Sequence, residues 1–206
     1  MHQDLDFDFI IEYLGERDKT LLEIINKIGT CTLTPNNDYF SSLTRIIINQ
    51  QLSIKAGNAI YTRLLDSTGR LNPSSVMSLH DQDFRKIGIS KKKQLYIKNL
   101  AELFILGKID FNIILKLSDE EILNILQEIK GIGKWSAEMF LIFSLNRMDI
   151  LPLKDIGLLR SFQMNYNFGK DNLQDSIIRI SNKWRPYRTI AVWYLWQSIN
   201  EKKVVF

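Results

Sequence analysis

The spacing of apolar residues constrains this chain more than anything else. Run after run is helical, and no stretch alternates apolar with polar for long enough to make a strand. TLLEIINKI (20–28) puts apolar side chains at i, i+1, i+4 and i+5, one face of a helix. FSSLTRIIINQQ (40–51), SIKAGNAIYTRLLDS (53–67), SKKKQLYIKNLAELFILG (90–107), SDEEILNILQEI (118–129), KWSAEMFLIFSLNR (134–147), DIGLLRSFQMNY (155–166) and RPYRTIAVWYLWQSIN (185–200) read the same way, with short helices near 74–79 and 81–88. Ser53, Asp81 and Ser90 are natural N-caps, Gly88 and Gly107 natural terminators, and Ser118-x-x-Glu121 is a capping box. LTPNNDY (33–39) is a loop. The expected fold is all-α, about ten helices in a two-lobed bundle. Residues of about 40–150 would form one lobe, and 1–35 would pack with 155–206 to form the other.

Composition narrows the chemistry. Hydrophobic residues make up 45% of the 206, enough for a real core. Cys31 is the only cysteine, so the chain forms no internal disulfide, thiolate zinc site or iron–sulfur cluster. With only His2 and His80, a histidine metal site is not expected either. No apolar run reaches the roughly 18–20 residues of a membrane span. The acidic start MHQDLDFDFIIEYLGERD lacks the basic-then-apolar order of a signal peptide, so an intracellular protein is expected. The net charge of +4 is compatible with a polyanionic partner. Arg85, Lys86, Lys91, Lys92, Lys93 and Lys98 lie close together, either as a solvated helix start or as a patch that faces phosphate.

One junction stands out. In QEIKGIGKWSA (127–137) two helical runs meet across Gly131-Ile132-Gly133. Two helices joined so tightly need unusual backbone angles, which glycine permits. The glycines also leave backbone N–H groups bare just where the second helix begins, near Lys134. Free N–H groups and the helix dipole then point at one spot, a nest for phosphate that reads no base sequence. The plain alternative is a helix hairpin with a glycine C-cap.

Helix, GIG, then Lys-Trp-Ser-Ala resembles the helix-hairpin-helix motif of the DNA glycosylases. YFSSLTRIIINQQLSIKAGNAI, FRKIGISKKKQLYIKNLAELF, LQEIKGIGKWSAEMFLIFSLNRMDILPLKDIGLL and WRPYRTIAVWYLW, in that order, extend the likeness over roughly residues 20–200. The whole chain, 1–206, looks like one such unit, similar to the DNA-3-methyladenine glycosylases and to their short form without an N-terminal strand-rich domain. The resemblance implies an active site in the cleft between the lobes and a hairpin at 126–145 that grips DNA. It implies base excision repair, in which an alkylated purine (3-methyladenine, with 7-methylguanine beside it) is flipped from duplex DNA and its N-glycosidic bond hydrolysed. Deaminated or oxidised bases, or a non-catalytic DNA-binding module, are the alternatives.

The resemblance also assigns residues. Asp155, 22 residues after Gly133, would be the catalytic carboxylate, although an Asp at a helix start also serves as an N-cap. Asp149 and Asp171 are rival carboxylates off the motif. Trp135 stands where strand-cutting relatives carry a lysine, which implies hydrolysis without lyase chemistry. Trp135 and Trp196 would wall the base pocket, with Tyr39, Phe40 and Met139 as further candidates. Core packing is the other reading of such aromatics, and it is preferred for Trp193 and Phe140. Gly131, Gly133, Lys134 and Ser136 would meet the phosphate backbone, while Lys93, like Arg185 and Arg188, would be structural or contact the backbone rather than act in catalysis. The tip Gln50-Gln51-Leu52-Ser53 would enter the duplex, with Gln51 or Leu52 as the wedge. No cofactor is required. A Na+ or K+ ion could sit on the main-chain carbonyls of Gln127, Ile129 and Ile132. The expected partner is duplex DNA with alkylated bases, bound by a monomer, in the nucleoid of a prokaryote or the nucleus of a eukaryote.

Overall fold

A computed structural model describes residues 6–168 and 172–199. Asp171 lies outside them. Among the described residues there are thirteen α-helices, one 3₁₀ turn and no strand. In chain order the helices are α1 (Phe7–Arg17), α2 (Lys19–Ile28), α3 (Tyr39–Asn49), α4 (Ile54–Thr68), α5 (Pro73–Ser78), α6 (Asp81–Ile87), α7 (Lys91–Ile105), α8 (Phe111–Ile114), α9 (Asp119–Glu128), α10 (Lys134–Phe143), α11 (Ile156–Tyr166), α12 (Leu173–Ser181) and α13 (Arg188–Ser198). The 3₁₀ turn is Asn182–Trp184. The chain divides into two compact units, Pro35–Leu145 and Met1–Thr34 with Asn146–Phe206.

In the discontinuous unit, α13 is the central element. Every residue from Thr189 to Gln197 is buried. It packs on α2 and α11, and α1 packs on α2. Helix α1 had no counterpart among the sequence expectations. Its acidic residues mask an ordinary amphipathic helix: Asp6 caps it through Phe9 N at 3.0 Å, and Ile10 and Leu14, one turn apart, are buried. Asp18 joins distant parts of the unit. Its Oδ1 accepts from Leu21 N at 3.0 Å to start α2, and its Oδ2 accepts from the Tyr166 hydroxyl at 2.8 Å and from Trp184 Nε1 at 2.9 Å.

The segment that opens the second part of this unit is pinned to α13. Thr189 Oγ1 donates to Arg147 O and accepts from Ile150 N, while Asp149 binds both Arg185 and Arg188. Residues 146–150 therefore belong here, and α10 stops at Phe143, four residues before the expected end.

In the continuous unit, α3 is the core helix, with Phe40 to Thr44 and Ile46 to Ile48 buried. It packs against α4, α7 and α10, while α5 lies on α7 and α9 on α10. Ser53, Ser90 and Ser118 cap their helices as expected, and Glu121 closes the box by accepting from Ser118 N at 2.8 Å. Asp81 is not the N-cap of α6. His80 takes that place, with Asp83 accepting from its backbone N–H at 2.9 Å. Asp81 Oδ1 instead accepts from Gln94 Nε2 at 2.6 Å, which ties α6 to α7.

Candidate nucleic-acid interface and active site

Helix α9 ends at Glu128, and Ile132 N donates to Ile129 O at 2.9 Å to close the turn into α10. Only one of the two glycines needs its special conformation. Gly131 has φ +93°, and a Cβ there would lie 2.3 Å from Cγ of Tyr96 on α7. Gly133 has φ −93° and ψ 177°, angles any residue adopts. The expectation that both glycines take unusual angles is corrected. Gly133 matters for what it leaves open: a Cβ there would meet nothing within 4 Å, and no side chain caps the first turn of α10. The amides at the start of α10 thus face outward beside exposed Lys134.

The tip after α3 is bonded to this hairpin. Gln50 Nε2 donates to Gly131 O at 2.8 Å and to Ser136 Oγ at 2.9 Å. Lys93 Nζ donates to Ile48 O at 2.7 Å and Gln50 O at 2.8 Å, which places its charge at the C-terminal end of α3. Burial holds its ammonium below the usual lysine range. Gln50, Ser136 and Lys93, expected to face DNA, have these polar groups turned to protein. Gln51 is exposed with φ +58°, Leu52 is 39% exposed, and Ser53 Oγ accepts from Ala56 N at the start of α4. Of the basic cluster, Lys91 and Lys92 are exposed, and the Lys92 ammonium lies 5.9 Å from the ring centre of Tyr96. Tyr96 was missed from sequence, since nothing local ties it to a glycine 35 residues on.

In the other unit, Asp155 sits where a loop turns into α11. Its N–H donates to Pro152 O at 2.9 Å. Its Oδ1 accepts from Leu158 N at 2.7 Å and from Trp196 Nε1 at 2.7 Å. Asp155 is therefore the N-cap of α11, and it is also half-exposed and oriented by a buried indole. Trp196, expected as a pocket wall, is 6% exposed and donates to the carboxylate. The rival Asp149 has Arg185 NH1 2.6 Å from Oδ2 and Arg188 Nε 2.5 Å from Oδ1, a structural ion pair.

The remaining aromatics divide by burial. Trp135 is half-exposed on the first turn of α10. Phe40 is 4% exposed with its ring edge-on to Phe104, which is core packing and corrects its placement in a pocket. Met139 is 1% exposed and likewise packed in the core. Tyr39 is half-exposed with its ring 4.2 Å from that of Phe111. Phe140 and Trp193 are core residues, as preferred.

Residues 44–186 match the model of the HhH-GPD superfamily of base excision DNA repair proteins, which takes in the hairpin, Asp155, Asp149 and one of its two arginines, Arg185. The chain belongs to the HhH-GPD superfamily. It is similar to the alkylbase DNA glycosidase-like protein mag2 of Schizosaccharomyces pombe, at 31% identity over 204 residues and 96% of each chain. Among solved structures it resembles a DNA-3-methyladenine glycosidase from Bacillus halodurans, with TM-score 0.79 and 34% identity over 96% of this chain and 91% of that one. It also resembles the S. pombe 3-methyladenine DNA glycosylase Mag1 in complex with abasic DNA, with TM-score 0.83 and 30% identity over 96% and 99% of the two chains. In this HhH-GPD protein, among the described residues, no helix is long and apolar enough to cross a membrane and no cluster of His, Cys, Asp and Glu could hold a metal ion.

Proposed function

We propose that the chain is a monofunctional DNA glycosylase of base excision repair. It flips an alkylated purine out of duplex DNA and hydrolyses its N-glycosidic bond, leaving an unbroken strand with an abasic site. The observation that carries this reading is Asp155: a half-exposed carboxylate fixed by a helix N-terminus and by Trp196 Nε1, at the family's carboxylate position.

The chemistry follows from the substrate's charge. A purine methylated at N3 or N7 is cationic, so it leaves with little help from an acid. The bond to C1′ lengthens before water attacks, and the sugar gains oxocarbenium character. A preorganised carboxylate stabilises that cation and orients the water, an effect worth about 3–4 kcal/mol. The base must first leave the stack. Trp135 offers a π face to the cationic base. Gly131, Gly133 and Lys134 hold phosphate without reading sequence, and Gln51, with Leu52 beside it, fills the space the base vacates. The carbonyls of Gln127, Ile129 and Ile132 would supply an all-oxygen, uncharged donor set. That suits Na+ or K+ rather than a transition metal, and such an ion would add positive charge beside the phosphate. The protein would act as a monomer wherever the genome lies.

Incubation with duplex DNA methylated at its purines tests the reading. Chromatography should find free 3-methyladenine, and strand breaks should appear only after mild alkali. Breaks without alkali would show lyase chemistry. Duplex binding with no base release from methylated, deaminated or oxidised DNA would make the chain a binding module.

A further inference from the structure

Two side chains hold the tip after α3, Lys93 from α7 and Gln50 from the tip to the hairpin. Lys93 Nζ bonds Ile48 O at 2.7 Å and Gln50 O at 2.8 Å, and Gln50 Nε2 bonds Gly131 O at 2.8 Å and Ser136 Oγ at 2.9 Å. Ser136 is 3% exposed, so the anchor at the far end is part of the core. One helical turn on from Lys93, Tyr96 packs directly over Gly131, so α7 meets the hairpin a second time. The next residue in the tip, Gln51, has φ +58°, a left-handed conformation that a residue with a Cβ keeps only when its surroundings fix it. They do so from both sides: Lys93 holds Gln50 O, and Leu52 N donates to Asn49 O at 3.1 Å.

We propose that Lys93 and Gln50 are positioning residues that lock the Gln51–Leu52 tip to the phosphate-binding hairpin, so that the hairpin's grip on the backbone sets where the wedge enters the duplex. The inference rests on the glycosylase reading of the site. Lys91 and Lys92 are exposed and available to phosphate, whereas Lys93, half-buried on two carbonyls, acts through the loop it holds. The lysine run thus divides by position: two residues face solvent and one fixes the tip.

The test compares wild type with Lys93→Met, Lys93→Arg and Gln50→Leu. The probe is a duplex carrying a stable tetrahydrofuran abasic analogue with 2-aminopurine beside it, whose fluorescence reports insertion of the wedge. Affinity for undamaged duplex is measured across a salt series. Lys93→Met and Gln50→Leu should each reduce insertion by about tenfold or more, the scale of losing a hydrogen bond that involves a charged or buried group. Affinity for undamaged duplex should stay within about twofold with the salt slope unchanged, because no phosphate contact is lost. Lys93→Arg should retain insertion, since a guanidinium can also donate to two carbonyls. A Lys93→Met protein whose salt slope falls by about one would make Lys93 a phosphate contact and overturn the proposal. Unchanged insertion in Gln50→Leu would overturn it too. If Lys93→Met does not fold, Gln50→Leu and Lys93→Arg carry the test, as both leave a cation beneath the tip. If wild type releases no base while insertion depends on both residues, the coupling stands and the glycosylase reading fails.

Discussion

Trp196 donates its indole N–H to Oδ1 of Asp155 at 2.7 Å, across 41 residues of sequence. A carboxylate that would otherwise be one more helix cap is held from two directions. The backbone N–H of Leu158 aligns it with the axis of α11, and a buried indole on α13 fixes its rotation. Such orientation is what electrostatic stabilisation of a transition state needs, because the group does not have to reorganise as charge develops.

Replacing Trp196 with Phe keeps an aromatic ring, smaller than the indole, and removes the donor. Loss of one charge-assisted hydrogen bond predicts a single-turnover rate of base release about tenfold lower. Affinity for abasic duplex should hardly move. An unchanged rate would show that the cap on Leu158 orients Asp155 by itself.

The hairpin glycines should separate stability from binding. Gly131→Ala must hold φ +93°, at about 1–2 kcal/mol, and overlap Tyr96, at about 1–3 kcal/mol more. Its thermal midpoint should fall well below that of Gly133→Ala. Gly133→Ala has ordinary angles and open space, and an alanine at an N-cap costs below about 1 kcal/mol relative to glycine. It should fold nearly normally and bind duplex about tenfold more weakly, because its methyl stands before the amides that meet phosphate. Equal melting of the two variants would contradict the assignment.

Asp149 should matter for the fold and not for the chemistry. Asp149→Ala strands Arg185 and the largely buried Arg188, and should cost about 1.5–3 kcal/mol in denaturant unfolding. Its single-turnover rate, measured where the variant is folded, should match wild type. A large rate loss with normal stability would reopen Asp149 as a catalytic group.

Alkaline pH should weaken the discontinuous unit. Burial pushes the Cys31 thiol from 9.0 up to about 11, and the Tyr194 phenol from 10.0 up to about 12. The folded chain keeps both protons after the unfolded chain has lost them. Stability is therefore flat below about pH 9 and falls as pH rises from 9 toward 12. Cys31→Ala should remove the first part of that fall in denaturant titrations at stepped pH.

Much of this was legible in the residues. Helical spacing and polar caps such as Ser53, Ser90 and Ser118 fixed most helices, because a period of 3.6 is a local property. The hairpin stands out locally by its glycines, whereas Asp155 and Trp135 take their proposed roles from the resemblance to the DNA glycosylases. Helix α1 was hidden by its acidic start, and α12 by its small size and polar content. The pairing of Trp196 with Asp155, the contact of Tyr96 with Gly131 and the burial of Lys93 on α3 carbonyls were not legible. Each depends on a tertiary contact between segments far apart in sequence. Phe40 shows the converse error, since an aromatic suited to a base pocket is equally suited to a core, and only its ring partner Phe104 decides between them.

The central claim is that Asp155 carries the chemistry, and Asp155→Asn tests it most directly. Asparagine keeps the shape and can still accept from Leu158 N and Trp196 Nε1, but it lacks the charge. Single-turnover release of 3-methyladenine from methylated duplex should fall by about 10²–10³, with affinity for abasic duplex unchanged. Release at the wild-type rate would contradict the account and reduce Asp155 to a helix cap.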